Sequence, residues 1–346
     1  MAKSISVENF DGDKWFKISN YDRLRPFFMS VVSDSNHWMF ISSNGGLTAG
    51  RKNSEYALFP YYTDDKITDL ADTTGSKTII QIKEKEKTLL WEPFSDRFAD
   101  NYSISRNIYK NRLGNKILFE EINHDLNLTF RYQWNSSNQY GFVRKSELIN
   151  HSERDYSLSF IDGIQNVLPY GVESDMQRAS SNLADAYKRT ELVQNSGLAI
   201  FALSAIIVDK AEPSEALKAN VAWSQGLENP NYLLSSLQLS KFRNREEIHE
   251  EQDVKGEKGA YFLHADIELS ASKSMEWKIV ANVNQNQSQV VELNKAIQQD
   301  QSLNEKLEKD VEKGTEKLLL LTGSADGLQK TSDNLKDARH YSNVLV

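Results

Sequence analysis

The fold turns on residues 38–69, WMFISSNGGLTAGRKNSEYALFPYYTDDKITD. Apolar and aromatic side chains fill Trp38 to Ile41, a Ser-Ser-Asn-Gly-Gly turn follows, and the chain climbs back through Leu47. Asn44-Gly45 is a strong hairpin signal, because both positions tolerate the positive φ that a tight primed turn demands. Ala57 to Tyr62 then packs Leu, Phe, Pro and two Tyr together, directly before Asp64-Asp65-Lys66. A hairpin followed by a rigid aromatic corner predicts the lip of a β-sandwich.

Outward from that stretch, period-two alternation dominates. Leu126, Leu128, Phe130, Tyr132 and Trp134 form the clearest strand, expected to bury one face and wet the other. Tyr156, Leu158 and Phe160 repeat the pattern, as do Tyr261 to Leu269 and Trp277 to Val283. Thr78–Ile82 and Thr88–Trp91 predict two strands joined by a charged turn. Earlier, Phe10, Trp15-Phe16 and Pro26 to Met29 read as short strands with a turn at Asp11-Gly12-Asp13. Trp38, Trp91, Trp134 and Trp277 are expected in the core among apolar neighbours.

Two regions change period. Val172, Met176, Ala179, Leu183 and Ala186-Tyr187 are spaced by three or four and predict one amphipathic helix. Leu198 to Val208, apolar on both faces, predicts a central strand beneath it. At Asn284 the composition shifts: NQNQSQ carries no β signal, and Val290, Leu293, Ile297, Leu303, Leu307 and Val311 approximate helical spacing. That stripe is expected to pack back on the sandwich rather than to dimerise as a coiled coil, since its spacing drifts. Gly314 is expected to interrupt, 323–327 to form a loop, and a last helix to start near Ser332, a good N-cap residue, and run to the end. Ending mid-pattern at Asn343 to Val346, the chain reads as the head and linker of a longer polypeptide. The expected division is a β-supersandwich over 1–283 and a helical linker over 284–346.

Composition narrows the function classes. The chain has 346 residues, 39% hydrophobic and 26% charged, with formal net charge −8. No Lys/Arg cluster is free of nearby acids, which argues against nucleic acid and for neutral, hydroxyl-rich ligands. With no cysteine, disulfides, thiol nucleophiles and Cys-ligated zinc are excluded. No run approaches the ~18 apolar residues of a membrane span, and the N-terminus has no apolar signal core. A cytoplasmic address is the expectation, with the periplasm left open.

Candidate chemistry is sparse. The six histidines, His37, His124, His151, His249, His264 and His340, make no HExxH or other metal spacing, and no metal or cofactor is expected. Phosphate-loop, dinucleotide and GxSxG motifs are missing. On one face of the strand containing Tyr261, His264, Asp266 and Glu268 stand at i, i+2 and i+4. They read either as an acid/base set acting on a sugar hydroxyl or as a solvated strand face. Tyr61, Tyr62, Asp64 and Asp65 read either as a sugar-stacking platform with hydroxyl-accepting carboxylates or as a packed corner with capping aspartates. Arg51 could reach that corner as a ligand clamp or a structural salt bridge.

NGGLTAGR with ALFPYYTDDKI resembles the N-terminal β-sandwich of cellobiose-phosphorylase-type proteins, glycoside hydrolase family 94 and relatives. IDGIQNVLPYGV (161–172), LADAYKRTELV (183–193), VDKAEPSEALKANVAWSQGL (208–227), GEKGAYFLHADIELSASKSMEWKIVANVNQ (256–285) and ADGLQKTSDNLKDARHYSNVL (325–345) look like further blocks of that family. The resemblance implies a galactose-mutarotase-like supersandwich, then helices, then an (α/α)6 barrel carrying the catalytic carboxylate. It implies phosphorolysis of an oligosaccharide by inorganic phosphate with inversion, and a homodimer. The barrel is missing from this sequence, so no catalytic residue is assigned, and the segment alone is expected to be a non-catalytic scaffold. A stand-alone aldose-epimerase-like enzyme and a carbohydrate-binding module are the alternatives.

Overall fold

In a computed structural model, residues 5–10, 12–62, 64–85, 87–178, 182–204, 218–325 and 344–345 are described. Three antiparallel sheets carry them. Eleven strands make the large sheet, in the order Ile5–Phe10, Asp13–Ser19, Ile104–Asn111, Ile117–Asn123, Leu128–Ser137, Gly141–Asn150, Ser274–Asn286, Lys218–Gln225, Leu198–Leu203, Lys188–Val193 and Asp253–Lys255. A second sheet orders Asn231–Leu233, Gly259–Leu269, Tyr156–Val167, Gly75–Lys83 and Thr88–Trp91. The third holds Val344–Leu345, Phe28–Val31, His37–Ser42, Leu47–Arg51 and Ala57–Phe59.

Both five-stranded sheets pack on one face of the large sheet. Their shared core joins Phe119, Phe130, Trp134 and Trp277 of the large sheet to Ile80, Leu158, Phe160 and Tyr261 of the second and to Met39, Ile41, Leu47 and Phe59 of the third. Phe160 stacks on Trp277 with centroids 4.9 Å apart, and Phe59 meets Trp134 edge-on at 6.2 Å. Aromatic pairs of this kind add about 0.5–1.5 kcal/mol each beyond the area they bury. The expected mainly β sandwich of antiparallel sheets with C-terminal helices is therefore what the chain builds.

Helices cover the outer faces. Gln287–Gln299 and Leu303–Ala325 lie on the far side of the large sheet, where Leu303, Leu307 and Val311 pack against Val143, Val221, Trp223 and Val280. The leucine stripe thus binds its own sandwich, each buried leucine contributing roughly 1.5–3 kcal/mol. On the outer face of the second sheet, Leu239 and Phe242 of the short helix Leu239–Arg243 cover Ile79, Ile161 and Phe262.

Several expectations need correction. Residues 43–45 form a three-residue hairpin loop, closed by Ser42 N–H donating to Gly46 O at 2.7 Å, rather than a two-residue primed turn. Only Gly45, at φ 91°, takes the left-handed conformation there, while the Asn44 carboxamide bonds Thr68 O at 2.9 Å and the Gly46 amide. The strand Ser274–Asn286 runs through the first half of NQNQSQ. Asn286 then caps the next helix, accepting from Gln289 N–H while its own N–H donates to Gln289 Oε1, both at 2.9 Å. A capping box is polar by construction, which is why the segment looked structureless.

The 290–311 stripe is two helices, because Asp300 ends the first and its carboxylate accepts from Ser302 N–H at the start of the second. Neither Gly314 nor 323–325 breaks the second helix. Packing of Val311 and Leu318 outweighs the ~1 kcal/mol that a helical glycine costs. Within the span 172–187 expected as one helix, Ser174–Arg178 and Asn182–Ala186 are helical, and 179–181 lie outside the described residues. Leu198–Leu203 lies third from an edge of the large sheet rather than centrally, and 205–208 fall outside the description. The last helix, expected from near Ser332 to the end, lies outside the described residues as far as 343, but Val344–Leu345 pair antiparallel with Phe28–Met29 instead of ending a helix. Trp91, Trp134 and Trp277 are core residues, whereas Trp38 is half-buried.

Candidate functional site

The strand Gly141–Asn150 of the large sheet faces Tyr156–Val167 of the second, and between them sits a salt bridge with no solvent exposure on either side chain. Arg144 Nη1 and Nη2 donate to Asp162 Oδ2 and Oδ1 at 2.7 and 2.8 Å. Asp162 also accepts from Trp277 Nε1 at 2.6 Å, Thr78 Oγ1 at 2.6 Å and Ser146 Oγ at 3.0 Å, and Arg144 Nε donates to Ser76 Oγ at 2.9 Å. The guanidinium lies 4.9 Å from the Tyr132 ring centroid. Buried charge survives here because the two charges meet at two points and both Asp162 oxygens accept further hydrogen bonds.

Above this pair opens a polar cleft of about 320 Å³, lined by the hairpin loop at Asn44-Gly45, by Asp72, by Ser76 to Thr78, by Pro93 to Arg97 and by Tyr132. Asp72 accepts from Lys77 and from Arg97 Nη2, the latter at 2.7 Å. Burial pushes the Asp72 carboxyl up, but hydrogen bonds from Lys77 and Arg97 outweigh it and hold the group down at about 2. Lys77 and Arg243 also clasp the buried Glu92 beneath, at 3.3 Å and 2.8 Å. Asp96 stands open to solvent on the rim and accepts from Arg106 at 2.7 Å. Burial raises the Tyr132 phenol well above its usual range.

Phe94 lines the cleft in a left-handed conformation, φ 63°, unfavourable for an aromatic residue. The buried Glu121 enforces it by accepting from Phe94 N–H at 2.7 Å while also holding Trp91 Nε1 and Arg106 Nε. Strain of ~1–3 kcal/mol maintained beside a cavity is a recognised mark of a working surface. Carboxylates, cations and an aromatic ring around one hollow suit sugar hydroxyls and C–H faces. Asp72 and Tyr132 are shifted away from neutrality in opposite directions, so neither is poised to exchange a proton near neutral pH.

The candidates named from the sequence lie apart from this cleft. Trp38 meets Tyr61 edge-on at 5.6 Å, Tyr61 N–H donates to Gln177 Oε1 at 2.8 Å, and Tyr62 Oη donates to Gln177 O at 3.1 Å. Asp64 and Asp65 begin the helix Asp64–Asp69, and their side chains lie outside the description. Arg51 does not join the corner. Its Nε, Nη1 and Nη2 donate to the carboxamide oxygens of Asn36, Asn282 and Asn138 at 2.7, 3.2 and 3.2 Å. His264 bonds Ser159 Oγ at 3.2 Å and sits edge-on to Phe242, Asp266 bonds Lys83 at 2.7 Å, and Glu268 points to solvent. Burial lowers the His264 pKa. Sequence reasoning missed Arg144, Asp162, Phe94 and Arg97; the block IDGIQ contained Asp162 without revealing what it faces.

Among the described residues no group of three or more His, Asp or Glu is placed to hold a metal ion, and no helix is long and apolar enough to cross a membrane. No family model and no curated protein sequence matches the chain. Solved structures match it distantly. A bacterial glucoamylase complexed with acarbose is similar over 86% of this chain and 38% of its own, at 11% identity and a TM-score of 0.42. A putative kojibiose phosphorylase from the human microbiome is matched over 68% of this chain and 27% of its own, with 12% identity and a TM-score of 0.37. For a putative aldose 1-epimerase from Klebsiella pneumoniae the shares are 86% and 88%, with 9% identity and a TM-score of 0.39. The chain thus spans well under half of the first two. Scores this low carry nothing about the chemistry of this chain.

Proposed function

We propose that this chain is the non-catalytic β-sandwich of a carbohydrate phosphorylase- or glycoside-hydrolase-like protein of the cellobiose-phosphorylase type. In that proposal the sandwich is the unit expected over 1–283, although its large-sheet strand runs on to Asn286 and Val344–Leu345 add to its third sheet, and the helices after it lead towards an (α/α)6 barrel that carries the catalytic carboxylate. In that reading the sandwich supports the barrel and a homodimer contact, and its polar cleft touches an oligosaccharide that the barrel cleaves with phosphate. The observation that supports it best is that the acid/base candidates are held by neighbours on their own sheet: His264 and Asp266 share Ser159, Asp266 is paired with Lys83, and Glu268 is turned outward. The sequence blocks that resemble the family agree with it.

A carbohydrate-binding module is the second reading, favoured by the edge-on Trp38–Tyr61 pair beside the half-exposed Tyr62. Calorimetry with cello- and chito-oligosaccharides separates the two. Millimolar binding weakened by Arg97→Ala and Asp96→Asn but not by Tyr61→Ala supports sugar contact at the cleft. Loss of binding in Tyr61→Ala moves the assignment to the module. Absence of any binding removes the cleft from the proposal.

A further inference from the structure

Arg51 and Lys52 share a small hollow of about 200 Å³ with Asn36, Tyr56, Asn284 and the start of the first linker helix. The lining of this hollow includes no carboxylate, although the chain as a whole carries eight more acids than bases. All three Arg51 nitrogens are held by neutral carboxamide oxygens, which orient the guanidinium without cancelling its charge. Lys52, in the left-handed conformation at φ 61°, places its ammonium 5.6 Å from the Tyr56 ring centroid, another neutral partner. Asp310, the acid whose charge Arg51 feels most, is itself engaged by Ser137 Oγ and Gln139 N–H.

Two further features adjoin the same hollow. Asn284 Oδ1 is buried with no hydrogen-bond partner, on a residue strained to φ 58°. An orphaned buried acceptor costs about 1–3 kcal/mol, and a carboxamide can turn over to offer its NH2 instead. Gln285 and Gln289 also line the hollow and flank the N-terminus of the 13-residue helix Gln287–Gln299, whose aligned peptide dipoles favour negative charge.

We propose that this hollow binds an oxyanion, the carboxylate or phosphate group of a sugar-sized ligand. In this arrangement Arg51 and Lys52 supply the charge, the asparagine cradle fixes the guanidinium, and Asn284 meets a ligand hydroxyl or anion oxygen. The site stands independently of the scaffold reading and of the cleft between the sheets. It takes a charged ligand where the cleft takes a neutral one.

The test is titration of the whole chain with inorganic phosphate, glucuronate and glucose at low ionic strength, followed by calorimetry and amide NMR. Saturable binding of phosphate, glucuronate or both, with none of glucose, is expected, and whichever anion binds identifies the source of the charge. Lys52→Gln, at an exposed position, should weaken that binding about tenfold while leaving the melting temperature unchanged, the loss expected of one charge-assisted contact. Arg51→Lys serves as the second variant and should weaken binding while preserving the positive charge. Absence of saturable anion binding by the wild-type chain, or anion binding unchanged in Lys52→Gln and Arg51→Lys, overturns the proposal.

Discussion

Arg144 and Asp162 form a two-point ion pair, at 2.7 and 2.8 Å, that joins the large sheet to the second sheet where neither side chain meets solvent. It is the centre of a buried polar cluster, since Trp277, Thr78, Ser146 and Ser76 all direct their donors or acceptors at it. Replacing one member leaves the other charge buried and unpaired. Asp162→Asn is expected to lower the unfolding free energy by about 3–5 kcal/mol, read from urea denaturation. Arg144→Met with Asp162→Leu should lose less than the two single changes together, because the uncompensated charge is gone. A loss below about 1 kcal/mol in Asp162→Asn would mean that the pair does not bridge the sheets as described.

His37 gives the stability a pH signature. Its Nδ1 bonds Ser35 Oγ at 2.8 Å, its ring meets Phe142 edge-on at 5.0 Å, and Nε2 is buried without a partner. Burial, helped by the nearby Arg51 charge, lowers its pKa from 6.5 to about 3. Between those values the unfolded chain binds the proton and the folded chain does not. This contribution is therefore complete above pH 6.5 and is lost as the pH falls towards 3. His37→Gln should flatten that part of the stability profile relative to wild type. Parallel profiles for the two proteins would contradict the assignment.

The linker helices should be docked rather than free. Leu307 is fully buried against the large sheet, whereas Leu320, nine residues beyond the buried Val311 on the same helix, is 72% exposed. Leu307→Ala is expected to cost about 2–5 kcal/mol and to speed amide exchange along 303–318. Leu320→Ser should stay within about 0.5 kcal/mol of wild type. Equal effects at the two positions would mean that the stripe does not face the sheet.

Gly46 tests the hairpin against the helix that follows it. A Cβ at this position would stand 2.1 Å from the Ile67 carbonyl oxygen, a backbone atom that cannot rotate away. Gly46→Ala is expected to destabilise by about 1–3 kcal/mol, measured by thermal unfolding. A neutral Gly46→Ala would place the helix Asp64–Asp69 farther from the loop.

The legible parts of the fold were the strands whose two faces differ. Phe130, Tyr132 and Trp134 alternate with the half-buried Arg131 and Gln133, and period two announces them. Ile104–Asn111 and Ile117–Asn123 gave no such signal, because Arg106, Asn107, Lys110, Glu120 and Glu121 are all buried and the alternation is charge against apolar on covered faces. Their polar groups are matched in space, Arg106 to Glu121 at 2.8 Å and Asn107 to Glu120 at 2.8 Å, and nothing in the one-dimensional text reveals that matching. Arg144 and Asp162 were invisible for the same reason. Arg51 stood out in the sequence, yet its partners Asn138 and Asn282 lie 87 and 231 residues away, so only register could bring them to it. The cleft depends on the conformation of Phe94, which Glu121 imposes across 27 residues.

The most direct measurement is anomer interconversion of freshly dissolved α-glucose, followed by polarimetry with the wild-type chain and with His264→Ala. A non-catalytic sandwich predicts that both proteins leave the rate at that of buffer alone. Acceleration by the wild-type chain that disappears in His264→Ala would contradict it and place the chemistry on the strand Gly259–Leu269.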